Sequence, residues 1–130
     1  MKPQGFFSIL SIFLAVFVSG CALAVRNPTP EEAKNADYGP PPENPKEQAL
    51  AWLKDYLKDP MSAVVEWQGE CEEGWWKWSP DLTNPLFIPK IHYGWKLVAK
   101  VNAKNSMGAY TGFTTYTFCF EGGKILHVFK

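Results

Sequence analysis

The side chains able to do acid–base, nucleophilic or metal chemistry are few and lie far apart in the sequence. His92 and His127 are the only histidines, and neither stands at metal-ligand spacing from another His, Cys or carboxylate. We expect both to be strand residues. Cys71 could act as a nucleophile only if the fold brings a distant histidine to it. The chain contains no Gly-x-Ser-x-Gly turn and no Walker phosphate loop.

A group of four carboxylates is the remaining candidate for catalysis. Paired carboxylates can do acid–base chemistry, but these alternate with apolar residues and run into a Glu-Glu-Gly sequence. That pattern is typical of a solvated strand end and turn. The sequence therefore predicts a protein that is not an enzyme and has neither a cofactor nor a metal site. The four residues are Glu66, Glu70, Glu72 and Glu73.

The N-terminus carries the most specific pattern. Lys2 precedes an uncharged apolar run of about 13 residues, 6–18, which ends in Val18-Ser19-Gly20-Cys21. This pattern resembles the lipobox of bacterial lipoproteins, whose leader is removed and whose cysteine carries acyl chains such as palmitate. The resemblance implies a signal peptide over 1–20, lipid on Cys21 and a place in the cell envelope. Ala22, where an Asp would favour the inner membrane, implies the outer membrane and a domain that faces the periplasm.

An uncleaved transmembrane anchor is the alternative to a cleaved lipoprotein. Residues 6–25 hold no charge, and about 20 apolar residues can span a bilayer. Lys2 and Arg26 flank this run on opposite sides, so charge does not set an orientation. Both alternatives place the rest of the chain outside the inner leaflet.

Composition limits the remainder to one small domain. The mature chain, 21–130, has 12 basic residues once Lys2 is removed and 13 acidic residues, a net charge of −1. This balance gives no reason to expect nucleic acid or anionic lipid as a partner. Aromatic residues make up 15% of the chain and include six Trp. In a domain with little volume for its surface, we expect most of these rings in the core.

With Cys21 assigned to lipid, Cys71 and Cys119 are the two cysteines left to pair. An oxidising compartment favours a disulfide between them, which would stabilise the fold by about 4 kcal/mol through loop closure. The alternative is two separately buried thiols. The pairing geometry stays open, because Cys119 alternates with Thr115 and Thr117, opposite the aromatic side of its strand.

The mature chain divides into a tether and a domain. Residues 21–43 contain Pro28, Pro30 and Pro40-Pro41-Pro42 with little that could be buried, which predicts a semi-rigid spacer holding the domain off the membrane. A proline-rich recognition peptide is the other interpretation. Residues 44–130 form the domain.

Periodicity predicts an α+β domain with one N-terminal amphipathic helix packed on an antiparallel meander of four or five strands. Asn44-Pro45 suits a helix start, with Asn44 as N-cap, and Asp59-Pro60 suits its end. From residue 62 the apolar period changes to two, first through 63–71 and most regularly through 95–103 and 110–120. Gly122-Gly123 indicates a tight hairpin before the last strand.

Several motifs of the domain resemble those of a family of small bacterial lipoproteins or secreted proteins of uncharacterised function. The resemblance covers most of residues 36–120 and implies a small envelope domain with no known chemistry. Its motifs are Ala36-Asp37-Tyr38-Gly39-Pro40, Leu57-Lys58-Asp59-Pro60-Met61-Ser62-Ala63 and Val101-Asn102-Ala103-Lys104-Asn105-Ser106.

Two segments could carry recognition. Trp75, Trp76 and Trp78, with Tyr93 and the loop Pro85-Leu86-Phe87-Ile88-Pro89, suit stacking on a glycan or contact with a protein. The polar, turn-rich segment 102–112, with Asn105 and Tyr110, suits a binding loop, although its residues also serve to turn the chain. We therefore expect an envelope lipoprotein that acts by contact with another envelope protein, and alternatively a module that binds glycan or peptidoglycan.

Overall fold

The computed structural model describes residues 25–79 and 88–130. The predicted leader 1–20, the lipidation site Cys21 and the loop residues Pro85-Leu86-Phe87 lie outside the described residues. The described chain folds into mixed α and β structure dominated by an antiparallel sheet, which confirms the predicted α+β class. Its elements are α1 (Pro30–Asn35), α2 (Pro45–Tyr56), a short 3-10 helix (Pro60–Ser62), β1 (Val64–Trp67), β2 (Glu72–Trp78), β3 (Lys90–Asn102), β4 (Thr114–Glu121) and β5 (Lys124–Phe129).

The long strand β3 organises the sheet. Strands β4 and β5 follow in order on one side of it, while β1 and β2 share its other edge. Strand β1 pairs with the end at Asn102 and β2 with the end at Lys90. Strands β2 to β5 pair consecutively as an antiparallel meander, as predicted, whereas β1 lies outside it because β1 pairs with β3 and not with β2. Between them, Gly69 adopts a positive φ of 86°, and the Gln68 N–H donates to the Val98 carbonyl at 2.8 Å.

The core lies between α2 and one face of the sheet. The register places Leu97 of β3 opposite Phe118 of β4, and both side chains are fully buried. Helix α2 contributes Ala49 and Leu53, and the Trp52 ring packs edge-on against Phe118 with centroids 5.8 Å apart. The alternating apolar residues of β3 and β4 thus face the apolar side of the helix.

Helix α2 begins where the sequence predicts but ends earlier. Asn44 occupies the N-cap position and Pro45 the first helical position, as predicted, although Asn44 has a left-handed backbone, with φ 49°, and its side chain makes no capping hydrogen bond. The helix ends at Tyr56, because Leu57 is already extended, with its N–H bonded to the Leu53 carbonyl. Asp59-Pro60 instead introduces the short 3-10 helix.

Residues 25–43, predicted as a spacer, lie against the sheet. Thr29 and Glu32 form a reciprocal capping box that starts α1. The Tyr38 ring packs edge-on against Tyr93 at 5.8 Å, and the Trp95 indole donates to the Gly39 carbonyl at 3.2 Å. These contacts tie the segment to β3. No helix in the described ranges is long and apolar enough to cross a bilayer.

Two glycines face each other across β2 and β3 but tolerate a side chain very differently. Gly74 pairs with Gly94. A Cβ on Gly94 would lie 2.2 Å from the Phe120 carbonyl oxygen and 2.8 Å from the Trp76 ring, whereas a Cβ on Gly74 would meet only the flexible Lys96 side chain. Strand β3 therefore requires glycine at residue 94, where backbone and ring approach it closely.

We expect Gly94→Ala to lower the free energy of unfolding by about 2 kcal/mol or more, because backbone and an indole must move to admit one methyl group. Gly74→Ala is the matched control and should change stability by less than about 1 kcal/mol, since Lys96 can rotate away. Urea denaturation of both variants measures the difference. Equal destabilisation would show that the close approach at Gly94 is not rigid.

Candidate functional site

The tryptophans predicted as a binding surface are buried or half-buried, and two of them stack on histidines of the sheet. Trp76 is only 3% exposed and stacks on His92, with ring centroids 5.8 Å apart. Trp78 stacks on His127 at 4.7 Å, and Trp75 is half-buried. Stacking on a sugar needs an exposed ring face, so these indoles do not form one platform.

Tyr93, the fourth aromatic candidate, is half-buried and covered at its edge by Tyr38. The indole Nε1 of Trp76 is buried and has no hydrogen-bond partner among the described residues. The group at this end of the sheet is therefore an aromatic cluster that packs β2 against β3 and β5.

Both histidines belong to this cluster. The His92 ring nitrogens lie 3.2 Å from the Glu121 carboxylate and 3.0 Å from the Trp78 carbonyl oxygen. His127 packs between Trp78 and Phe129, and burial lowers its pKa, so the neutral ring is favoured at pH 7. The described residues contain no group of three or more His, Cys, Asp or Glu side chains placed to hold a metal ion.

The predicted disulfide between Cys71 and Cys119 is not formed, and both are free thiols. Cys119 pairs with Lys96 on the face of the sheet away from α2, whereas Cys71 packs against the core on the helix side. The two thiols lie on opposite faces, so no rotamer change can join them. Burial raises the pKa of the Cys119 thiol to about 11, and burial also raises the pKa of Cys71. Neither environment favours a nucleophilic thiolate.

Several exposed apolar side chains lie on chain segments that meet at the opposite end of the sheet, near Asn102. Met61 is 93% exposed and Met107 is 90% exposed. The ring of Tyr110 reaches between their two segments, because its hydroxyl donates to the Ser62 carbonyl at 3.0 Å. We call this set the aromatic–methionine patch; it consists of Tyr56, Met61, Met107, Tyr110 and Phe113.

The loop that carries much of this patch is held by hydrogen bonds. The Asn105 side-chain oxygen accepts from the N–H groups of Met107 and Ala109, and Gly108 supplies the positive φ of 79° that the turn needs. The Gly112 N–H donates to the Asn102 side chain at 3.2 Å. A loop fixed in this way loses little conformational freedom when a partner binds.

A pocket of about 360 Å³ lies beside the patch, and two of its lining residues are lysines. Lys58 and Lys104 line the pocket, and the Lys130 ammonium lies 4.5 Å from the Tyr56 ring centroid. A hydrogen bond to the Tyr56 hydroxyl raises the pKa of Lys130. None of the described lining residues is acidic. They are Tyr56, Leu57, Lys58, Val101, Ala103, Lys104, Asn105, Thr111, Gly112, Thr114 and Tyr116.

The predicted binding residues thus fall into two groups at opposite ends of β3. Asn105 lines the pocket and Tyr110 lies next to it, whereas the tryptophans and Tyr93 lie about 30 Å away along the strand. Sequence reasoning missed Met61 and Phe113, and it included Met107 only as part of the candidate loop 102–112. A turn sequence that carries a large apolar residue at its tip, as Asn105-Ser106-Met107-Gly108 does, was the available signal.

No protein-family model, no curated protein and no solved structure matches the chain. An exposed group of Tyr, Met and Phe side chains, rimmed by lysines and carried on a fixed loop, has the composition of a protein-binding surface.

We expect both thiols to persist in the protein isolated from its host. Cys119 should resist maleimide in the folded state and react on unfolding, because it is buried and its pKa is about 11. Thr115→Cys, on the same face of β4 but exposed, is the matched control and should react at the rate of an ordinary thiol. Mass spectrometry of alkylated, unreduced protein gives the readout. A mass lower by two hydrogens, with no label on either cysteine, would show a disulfide.

Proposed function

We propose that the protein is a bacterial envelope lipoprotein, anchored by lipid on Cys21, that works by protein–protein contact and not by catalysis. Its binding surface is the aromatic–methionine patch with the adjoining pocket. The observation that carries the proposal is the coincidence of exposed methionine and aromatic side chains with a hydrogen-bonded loop at one end of the sheet.

The composition of the patch supports a protein as its partner. Tyrosine and methionine are enriched in the centres of protein interfaces, and monomeric proteins seldom expose such side chains together. Met61 and Met107 have flexible, polarisable side chains that adapt to a partner's surface. Tyr110 is oriented by its hydrogen bond to the Ser62 carbonyl, so its ring is already placed for contact.

Charge defines the partner further. Lys58 and Lys104 line the pocket without an acidic neighbour among its described lining residues, and Lys130 lies over the ring of Tyr56, which also lines it. A complementary partner presents an apolar side chain bordered by carboxylates, which would be steered to this end of the domain. We therefore assign the patch to an envelope protein with an acidic rim around an apolar contact.

Site-specific photo-crosslinking in intact cells tests the patch. A photoreactive phenylalanine analogue at Met107 should capture one envelope protein, and Phe113→Glu should lower that capture about tenfold or more by placing a charge in the interface. Leu126→Glu is the matched control, because Leu126 is 36% exposed and Phe113 is 48% exposed, yet Leu126 lies on β5 and is not part of the patch.

Equal capture by the two Glu variants would show that the patch is not the binding surface.

Titration of the purified protein with muropeptides, followed by Trp fluorescence, tests the alternative that the protein binds glycan. We expect no change in fluorescence, since the indoles are packed into the fold. A saturable change that Trp75→Ala abolishes would replace a protein partner by a glycan.

The lipid anchor makes a separate prediction. Cys21→Ala, or treatment with globomycin, should cause a larger precursor to accumulate and should release no mature lipidated form. Mobility on gels and the mass of the N-terminal peptide measure this. Ala22→Ser is a matched control that should still be processed. An unchanged size and membrane fractionation in Cys21→Ala would favour the uncleaved anchor.

A further inference from the structure

The N-terminal end of the described chain is fixed to one end of the sheet. The Val25 carbonyl accepts a hydrogen bond from the Lys77 ammonium at 2.8 Å. Val25 and Pro28 also lie beside Ile91 and Tyr93 around a small pocket of about 280 Å³. The chain thus meets the sheet at the Lys90 end of β3, far from the aromatic–methionine patch.

The segment that follows keeps this position. Arg26 forms a two-pronged ion pair with Glu32, with distances of 2.9 and 2.6 Å, which holds the pKa of that carboxyl at about 2. The Tyr38–Tyr93 contact and the bond from Trp95 to the Gly39 carbonyl hold the segment further along. Residues 25–43 are consequently part of the folded unit, and they add nothing to the flexible chain between Cys21 and the fold.

The remaining length between Cys21 and the fold is very short. Four Cα–Cα steps separate Cys21 from Val25, and a fully extended chain spans about 14 Å over that distance. A polyproline spacer over residues 21–43 would span about 70 Å. The docked segment therefore reduces the reach of the anchor about fivefold.

We propose that the anchored domain stands directly on the phospholipid bilayer, with the Lys90 end of β3 against the headgroups and the aromatic–methionine patch turned away. This inference rests on the lipid anchor in the proposed function. Strand β3 has 13 residues, so the patch stands about 40 Å above the membrane surface.

The chemistry of the Lys90 end suits a bilayer surface. Lys90 is exposed, and Ile88 adds an exposed apolar side chain, while the Lys77 ammonium is engaged by the Val25 carbonyl. Lysine stems can lie along apolar surface while their ammonium groups reach phosphates. Charge attraction to lipid decays over about 10 Å, so a fold held within about 14 Å of its anchor brings only this end into range. The net charge of −1 of the mature chain describes its total charge and not the charge at this one end.

Depth-dependent quenching on the full lipidated protein tests the orientation. The protein is reconstituted in vesicles of phosphatidylethanolamine and phosphatidylglycerol that contain a lipid with a spin-labelled headgroup. A fluorophore is attached at Ile88→Cys or at Met107→Cys, each in a Cys71→Ser background, because Cys119 is buried. We expect several-fold stronger quenching at residue 88. Equal quenching, or stronger quenching at residue 107, would overturn the proposal.

Two further variants separate reach from charge. A flexible insertion of about 20 residues between Ala24 and Val25 should reduce quenching at residue 88 to the level at residue 107, since the reach then exceeds the size of the domain. Unchanged quenching would refute the role of the short connection. Lys90→Glu should weaken quenching at residue 88, whereas Lys100→Glu, at an exposed lysine near the other end of β3, should not.

The mass of the N-terminal peptide is measured first. A peptide without lipid would contradict the proposed anchor itself. A lipidated peptide with no difference between residues 88 and 107 would contradict the orientation alone.

Discussion

Every other part of the domain depends on the backbone pairing of β3. This one strand satisfies hydrogen bonds of β1 and β2 along one edge and of β4 along the other. Its alternating side chains supply Leu97 and other core residues to the face that α2 covers. The other face carries Gly94, whose missing side chain leaves room for the Trp76 ring. A change of register in β3 would therefore exchange the core face with the aromatic cluster.

Local patterns in the sequence account for the parts of the fold that depend on periodicity. The alternation through 95–103 and the hairpin at Gly122-Gly123 were predictable, because strand faces and positive-φ turns follow from residue type and spacing. The burial of Trp76 was not predictable, since it depends on Gly94, which is 18 residues away in the sequence. At the candidate site, the turn at Asn105 could be predicted. The approach of Met61 to that turn could not, because it requires the pairing of β1 with β3.

The two ends of β3 differ in a way that net charge and composition conceal. At one end the chain from the N-terminus is held by Lys77 and by aromatic contacts, and the tryptophans are packed. At the other end the loop around Asn105 is fixed by hydrogen bonds and yet presents exposed apolar side chains. With the proposed lipid anchor, the Lys90 end of β3 would face the membrane, and the other end would present the aromatic–methionine patch to surrounding proteins.

The division of one sheet edge between β1 and β2 also bears on self-association. A single strand over residues 64–78 would expose a long row of unpaired backbone groups, which is a template for edge-to-edge aggregation. The bend at Gly69 replaces it with two short edges of four and seven residues. On the far side, the irregular register between Cys119 and Phe120 twists the outer strand β5. With the proposed lipid anchor, copies on one membrane would meet often and in similar orientations, and the interrupted edges would let them crowd together without polymerising.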